Sequence, residues 1–136
     1  MNEKLFKNKK HKILVTGGRD YQNKKDVYER LYYYCNTNDL HPSSVCIIHG
    51  GCHEKHDRNK LTGADRWADE WARENSSDLD VYYADWETHG RAAGPIRNSV
   101  MLKESKPDVV ISFPGGRGTS DMTNKARKAG IKVIEE

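Results

Sequence analysis

An α/β three-layer sandwich, with a mainly parallel five-stranded sheet covered by helices on both faces, is the fold this sequence predicts. Three observations carry that prediction. Five short runs are rich in β-branched residues and stop at Gly, Pro or polar turns, helical patterns separate each run from the next, and no internal repeat or low-complexity stretch competes with the alternation. A strand–helix–strand rhythm calls for parallel strands joined by crossovers, and the crossovers cover both faces of the sheet.

The chain opens on "MNEKLFKNKKHK", where five lysines and one glutamate give +4, whereas the whole 136-residue chain carries +3. The body is therefore near neutral at −1, and residues 1–11 read as a basic tail ahead of one domain at 12–136. Such a tail is usually solvated, and DNA binding needs a basic face on the fold itself, so nucleic acid is not the expected partner. "KILVT" at 12–16 reads as the first strand. In "KKDVYERLYYYCN" the spacing of Val27, Leu31 and Tyr34 or Cys35 makes one apolar helical face, and "SVCIIH" at 44–49 is the second strand. "GADRWADEWAREN" sets Ala64, Trp67, Ala68, Trp71 and Ala72 at i, i+3, i+4, i+7 and i+8, a single stripe that assigns both tryptophans to core packing. "LDVYYA" at 79–84 is the third strand, followed by the helical "GPIRNSVMLKES" with Pro95 near its first turn. "DVVISF" at 108–113, the helical "TSDMTNKARKAG" ending at Gly130, and "IKVIE" at 131–135 complete the order β-α-β-α-β-α-β-α-β.

Parallel strands end at one edge of the sheet, the edge at which open α/β folds bind ligands. Here the first four exits are "GGRDY" at 17–21, "GG" at 50–51, "DWETHGRAAGPIRN" at 85–98 and "PGGRGTSD" at 114–121. Three of them carry paired glycines: Gly17 with Gly18, Gly50 with Gly51, and Gly115 with Gly116, Gly118 following. One pair is an ordinary turn, whereas three on one edge describe a crevice lined by backbone amides that a phosphate can approach. Arg19, Arg97 and Arg117 add guanidinium groups to the same rim. Thr119 and Ser120 suit the opening of a helix, whose first amides lack partners.

Other residues on this edge have two readings each. Asp20 starts a helix or joins Arg19 in a phosphate turn; Asp65 and Arg66 cap and decorate the second helix or reach the ligand. Asp85, Trp86, Glu87 and His89 are loop packing or the wall that meets a base or sugar. Cys52, His53 and His56 lack the second Cys/His pair of a zinc site, so no metal is expected. No apolar run approaches a membrane span or a signal peptide, and three cysteines, an odd number, suit a reducing cytoplasm.

Taken together, "VTGGRDY", "HGG" followed by "GADRWADEWA", "ADWETHGRAAGPIRNSVML" and "FPGGRGTSDM" resemble the SLOG superfamily, most closely its small YspA or cpYpsA-related branch, from about Lys12 to Glu136. The resemblance implies a Rossmann-like sheet whose glycine loops bind nucleotides or nucleotide-derived molecules such as ADP-ribose-like ligands. Arg97, with Asn98 beside it in "GPIRN", falls where a ligand-binding arginine is expected. The LOG-type branch, similar in "PGGxGT", cleaves N-glycosidic bonds of nucleoside monophosphates, and the DprA-type branch handles single-stranded DNA. LOG-type proteins carry a catalytic glutamate three residues after that threonine, a place taken here by Met122, and a glutamate at 122 is expected to face the crevice. Asp121 is one residue away, about 100° around a helix of 3.6 residues per turn. The stretch "CHEKHDRNKLT" at 52–62 stands where relatives have only a few residues and is expected to form a loop over the rim.

The leading expectation is a binding protein for a nucleotide-derived small molecule, a sensor or a sponge in a defence or counter-defence system, without cofactor and as a homo-oligomer. The alternative is a nucleosidase or phosphoribohydrolase using Asp20, Asp85 or Asp121 as its carboxylate. Single-stranded DNA binding comes third.

Overall fold

The computed structural model describes residues 10–136. The elements are β1 (His11–Thr16), α1 (Lys24–Thr37), β2 (Val45–His49), β3 (His53–Glu54), β4 (Asp57–Leu61), α2 (Gly63–Glu74), β5 (Asp78–Val81), α3 (Trp86–His89), α4 (Ala93–Ser105), β6 (Val109–Ser112), α5 (Arg117–Lys128) and β7 (Lys132–Glu135). Five strands form one sheet in the order β5-β2-β1-β6-β7, every pair parallel. The chain builds outward in one direction from β1, then returns past it to build β6 and β7. This is the doubly wound Rossmann-like arrangement, whose switch of direction lies between β1 and β6.

The pleat sorts the central strands into two cores. Ile13, Val15, Val45, Ile47, Val109 and Ile111 meet α1 and α2 through Val27, Leu31, Tyr34, Cys35, Ala64, Ala68, Trp71 and Ala72. On the other face Leu14, Ile48 and Val110 meet Met101 of α4 and Met122 and Ala126 of α5. The central runs are apolar without alternation because both faces are covered. Trp71 is fully buried, as the stripe requires, and burial of a large apolar side chain contributes roughly 1.5–3 kcal/mol. Trp67 is only half-buried, and its indole N–H donates to the Tyr21 carbonyl at 3.0 Å.

Several boundaries differ from the sequence reading. The basic tail lies outside the described residues except at its end, where Lys10 pairs with Asp78 at 3.2 Å and His11 already opens β1. β5 stops at Val81, and after one further ladder bond from the Tyr82 amide to the His49 carbonyl (3.0 Å) the two tyrosines leave the sheet. α1 is capped by Asn23, whose side chain accepts from the Asp26 amide at 3.0 Å, so Asp20 lies in the preceding turn. α5 begins at Arg117 with Gly116 in the cap position, two residues before the Thr119–Ser120 pair. The stretch 52–62 is a short antiparallel hairpin, β3–β4, and part of the loop after β5 winds into the single-turn α3. Among the described residues no helix is long and apolar enough to cross a membrane.

Candidate functional site

Two glycine turns interlock at the switch point, and the third, Gly50–Gly51, lies beside them at the β2 exit. The Gly18 amide donates to the Pro114 carbonyl at 2.8 Å, tying the β1 exit to the β6 exit. A Cβ at Gly17 would sit 2.6 Å from the Ala64 methyl, and one at Gly115 would sit 2.6 Å from the Gly18 nitrogen. At these two positions glycine is demanded by packing of the protein on itself. Gly116 and Gly118 are different: a Cβ at either meets nothing within 4 Å. Ser120 closes the first backbone bond of α5 on the Gly116 carbonyl at 3.0 Å, which leaves the amides of Arg117, Gly118 and Thr119 as its open first-turn donors. The end of α5 is thus bare backbone facing outward beside the β1 exit.

Arg97 anchors the other side. It comes from α4, and its Nη1 donates to the Gly50 carbonyl and more weakly to the Tyr82 carbonyl at 3.4 Å, while Nε donates to Asn98 Oδ1 at 2.9 Å. Burial pulls the guanidinium pKa down, against the opposing charges of Asp65, Cys52 and Asp121. Asn98 is almost fully buried, and its Nδ2 donates to the Gly118 carbonyl (3.1 Å) and to Asp121 Oδ2 (3.0 Å), fastening α4 to the first turn of α5. Asp121 also pairs with Lys125 at 2.9 Å. Asp65 is buried and accepts from the Cys52 amide at 3.0 Å, so it organises the chain after Gly51.

Beneath Gly51 lies a pair that sequence reasoning missed. His49, fully buried, meets Asp69 Oδ2 through Nε2 at 2.8 Å, and its Nδ1 accepts the Gly51 amide at 3.0 Å. Because Nδ1 accepts, the ring proton sits on Nε2 and is donated to Asp69. Burial alone would raise the Asp69 pKa, but hydrogen bonds from His49 and from Arg73 Nε (2.6 Å) outweigh it, and the net shift is downward. The Gly51 backbone is left-handed, φ +63°, with Tyr83 against it, so this pair holds a turn that only glycine fills without strain.

A cavity of about 800 Å³ at this edge lies beside the glycine turns and not over them. The hairpin forms one wall with His53, Lys55, His56, Asp57 and Arg58; Ala84, Asp85, Trp86 and Glu87 form the other, and Arg19 joins them. Asp85 is exposed and caps α3 by accepting from the Thr88 amide at 3.2 Å, a bond that lowers its pKa. Arg19 Nη2 donates to the His53 carbonyl at 3.1 Å.

The residues singled out from the sequence therefore divide. Gly17, Gly18, Gly115, Gly116, Arg117, Gly118 and Thr119 gather at the β1/β6 switch; Gly50, Gly51, Asp65, Arg97 and Asn98 gather beside them; Arg19, Asp85 and Trp86 line the hairpin cavity. Asp20 is exposed in the turn before α1. Arg66 lies over the Trp67 ring, 4.4 Å from its centroid, and pairs with Glu70 at 3.5 Å. Met122 does not face the crevice. It is fully buried against Leu14, Met101, Val110 and Ala126, because the helix that starts at Arg117 turns this position onto the sheet. Among the described residues no cluster of three or more His, Cys, Asp or Glu is arranged to hold a metal ion.

A family model described as the YspA, cpYpsA-related SLOG family matches residues 11–89, from β1 through α3. The chain is also similar to the Gene 61 protein of Mycobacterium phage D29, with 35% identity over 132 residues, covering 90% of this chain and 94% of that protein.

Proposed function

Because this chain belongs to the YspA, cpYpsA-related SLOG family, we propose that it binds a nucleotide-derived small molecule, of the ADP-ribose or nucleoside phosphate kind, and senses or sequesters it. The observation that carries this reading is the start of α5: open amides at Arg117, Gly118 and Thr119, with no side chain at 116 or 118, at the switch point of a doubly wound sheet. A phosphate bound there receives backbone donors and the positive end of a helix dipole. Arg97 and Arg19 supply positive charge around it, with the ribose of the same nucleotide towards Asp85. Binding without turnover is favoured because two of the three candidate carboxylates are engaged, Asp121 by Asn98 and Lys125 and Asp85 by the Thr88 amide, while the third, Asp20, is exposed in the turn before α1. A relative encoded by a phage fits the sequestering role, and three free thiols, Cys35, Cys46 and Cys52, fit a reducing cytoplasm.

Mass spectrometry of small molecules released on denaturing the purified protein tests the reading. Incubation with nucleoside monophosphates, NAD and cyclic ADP-ribose derivatives, followed by chromatography, is expected to return intact ligand. Released base would replace it with an N-glycosidic hydrolase.

A further inference from the structure

The cavity between the hairpin and the segment after β5 has a composition that phosphate binding at the glycine turns does not use. Trp86 on its wall is 53% exposed, an unusual state for the largest apolar side chain. Facing it are three cations, Arg19, Lys55 and Arg58, none with a described carboxylate within 4 Å; the hairpin's own ion pair joins Glu54 and Lys60 at 3.3 Å. Arg58 is held by stacking, its guanidinium 5.0 Å from the Tyr83 ring, and His53 lies 6.1 Å from the same ring. Of the three acids on the wall, two are turned to backbone work, Asp57 accepting from the Asn59 amide (3.0 Å) and Asp85 from the Thr88 amide, and the third, Glu87, is exposed. Arg19 connects this cavity to the glycine turns, since it follows Gly18 directly and bonds the hairpin at His53. At about 800 Å³ the space lies in the upper part of the roughly 300–1,000 Å³ range of small-molecule sites.

We propose that the β3–β4 hairpin and Trp86 form a second subsite that takes the far half of an extended ligand, a diphosphate joining a nucleoside to a second sugar or nucleoside. The proposal rests on the phosphate-binding reading above and specifies which ligands satisfy it. One phosphate lies on the α5 amides, the second meets Arg19 with Lys55 and Arg58 in range, and an aromatic base stacks on Trp86. Base–aromatic stacking is tolerant of base identity, so the subsite selects for ligand length and charge more than for a particular base.

The test is a fluorescence titration of the full chain with AMP, ADP-ribose and NAD, in the parent, in the exposed-surface double variant Lys55→Ala/Arg58→Ala, and in Trp86→Ala and Trp86→Phe. In the parent, NAD, whose far half carries a second base, is expected to bind about ten-fold tighter than AMP, the scale of one stacked base, while ADP-ribose, whose far half is a sugar, gains only the contacts of its second phosphate. The double variant and Trp86→Ala lose that preference while AMP affinity stays within about two-fold, and Trp86→Phe, which keeps an aromatic face, retains most of it. An unchanged preference in Trp86→Ala and in the double variant overturns the subsite but leaves the phosphate site standing. So does a parent that binds AMP and shows no preference for either longer ligand. Failure of all three probes to bind the parent removes the phosphate-binding reading and the subsite with it.

Discussion

His49 and Asp69 share a 2.8 Å hydrogen bond in the protein interior, and through it a helix residue fixes the imidazole that accepts the Gly51 amide. Asp69 has a folded pKa below its ordinary value of 3.8. A depressed carboxylate stabilises the fold above its unfolded pKa, and that contribution disappears as the pH falls through the lower, folded value. Urea denaturation of the parent is therefore expected to show stability falling below about pH 4. Asp69→Asn should be less stable at neutral pH by about 1–3 kcal/mol and show a flatter acid limb. Parallel acid limbs in the two proteins would show that the pair contributes nothing to the linkage.

Gly115 and Gly116 are neighbours with opposite requirements. A side chain at 115 collides with Thr119 and the Gly18 amide, so Gly115→Val should lower the thermal midpoint by several degrees. A Cβ at 116 meets no protein atom within 4 Å, so Gly116→Val should keep the fold and lose the ligand. Calorimetry paired with a binding assay separates the two, and a folded Gly116→Val that binds normally would move the ligand away from α5.

Arg97 serves the Gly50 carbonyl and Asn98 at once. Arg97→Ala is expected to cost about 1.5–3 kcal/mol in ligand affinity through the lost charge-assisted contact, and some stability as well, because the Gly50 carbonyl loses its donor. Arg97→Lys should restore part of the affinity but not the stability, since an ammonium does not reproduce the guanidinium fork. Equal binding by parent and alanine variant, read by calorimetric titration, would remove Arg97 from the site.

Met122→Glu tests whether the missing LOG-type glutamate can be restored. The side chain is fully buried among Leu14, Met101, Val110 and Ala126, so the substitution puts a carboxyl into a core with no partner for it. Expected are a loss of several kcal/mol in stability and no base release from nucleoside monophosphates. A stable variant that hydrolyses them would show that α5 can rotate this position into the crevice.

Much of the scaffold was legible because it repeats one physical pattern. Strand cores such as Ile13–Val15 and Val109–Ile111 are apolar runs rich in β-branched residues, and the α2 stripe from Ala64 to Ala72 has helical spacing. The glycine pairs marked the edge correctly, although packing and not ligand access explains Gly17 and Gly115. The hairpin was illegible because "DRNKL" is polar and almost wholly exposed, with no apolar face to set a period. His49–Asp69 spans 20 residues and two elements, a contact that no local pattern reports; its only trace was an acid, Asp69, beside Ala68 and Ala72 on the buried side of α2. For Met122 the signal existed: Met122 and Ala126 stand at i and i+4, the spacing of one helical face, and both are buried.

The hairpin is closed at its root by a backbone bond from the Thr62 amide to the Cys52 carbonyl at 2.9 Å, and beyond that clasp its strand ladder is with itself, its outward contacts being Arg19 on the His53 carbonyl and the Tyr83 ring beside His53 and Arg58. Lengthening or recoding the stretch between the clasped residues leaves the doubly wound scaffold and its glycine turns unaltered, at an entropic cost that grows only slowly with length. On the proposed binding reading, the hairpin is an exchangeable cassette: rewriting nine residues, 53–61, is expected to change which ligand is held while the glycine turns stay as they are.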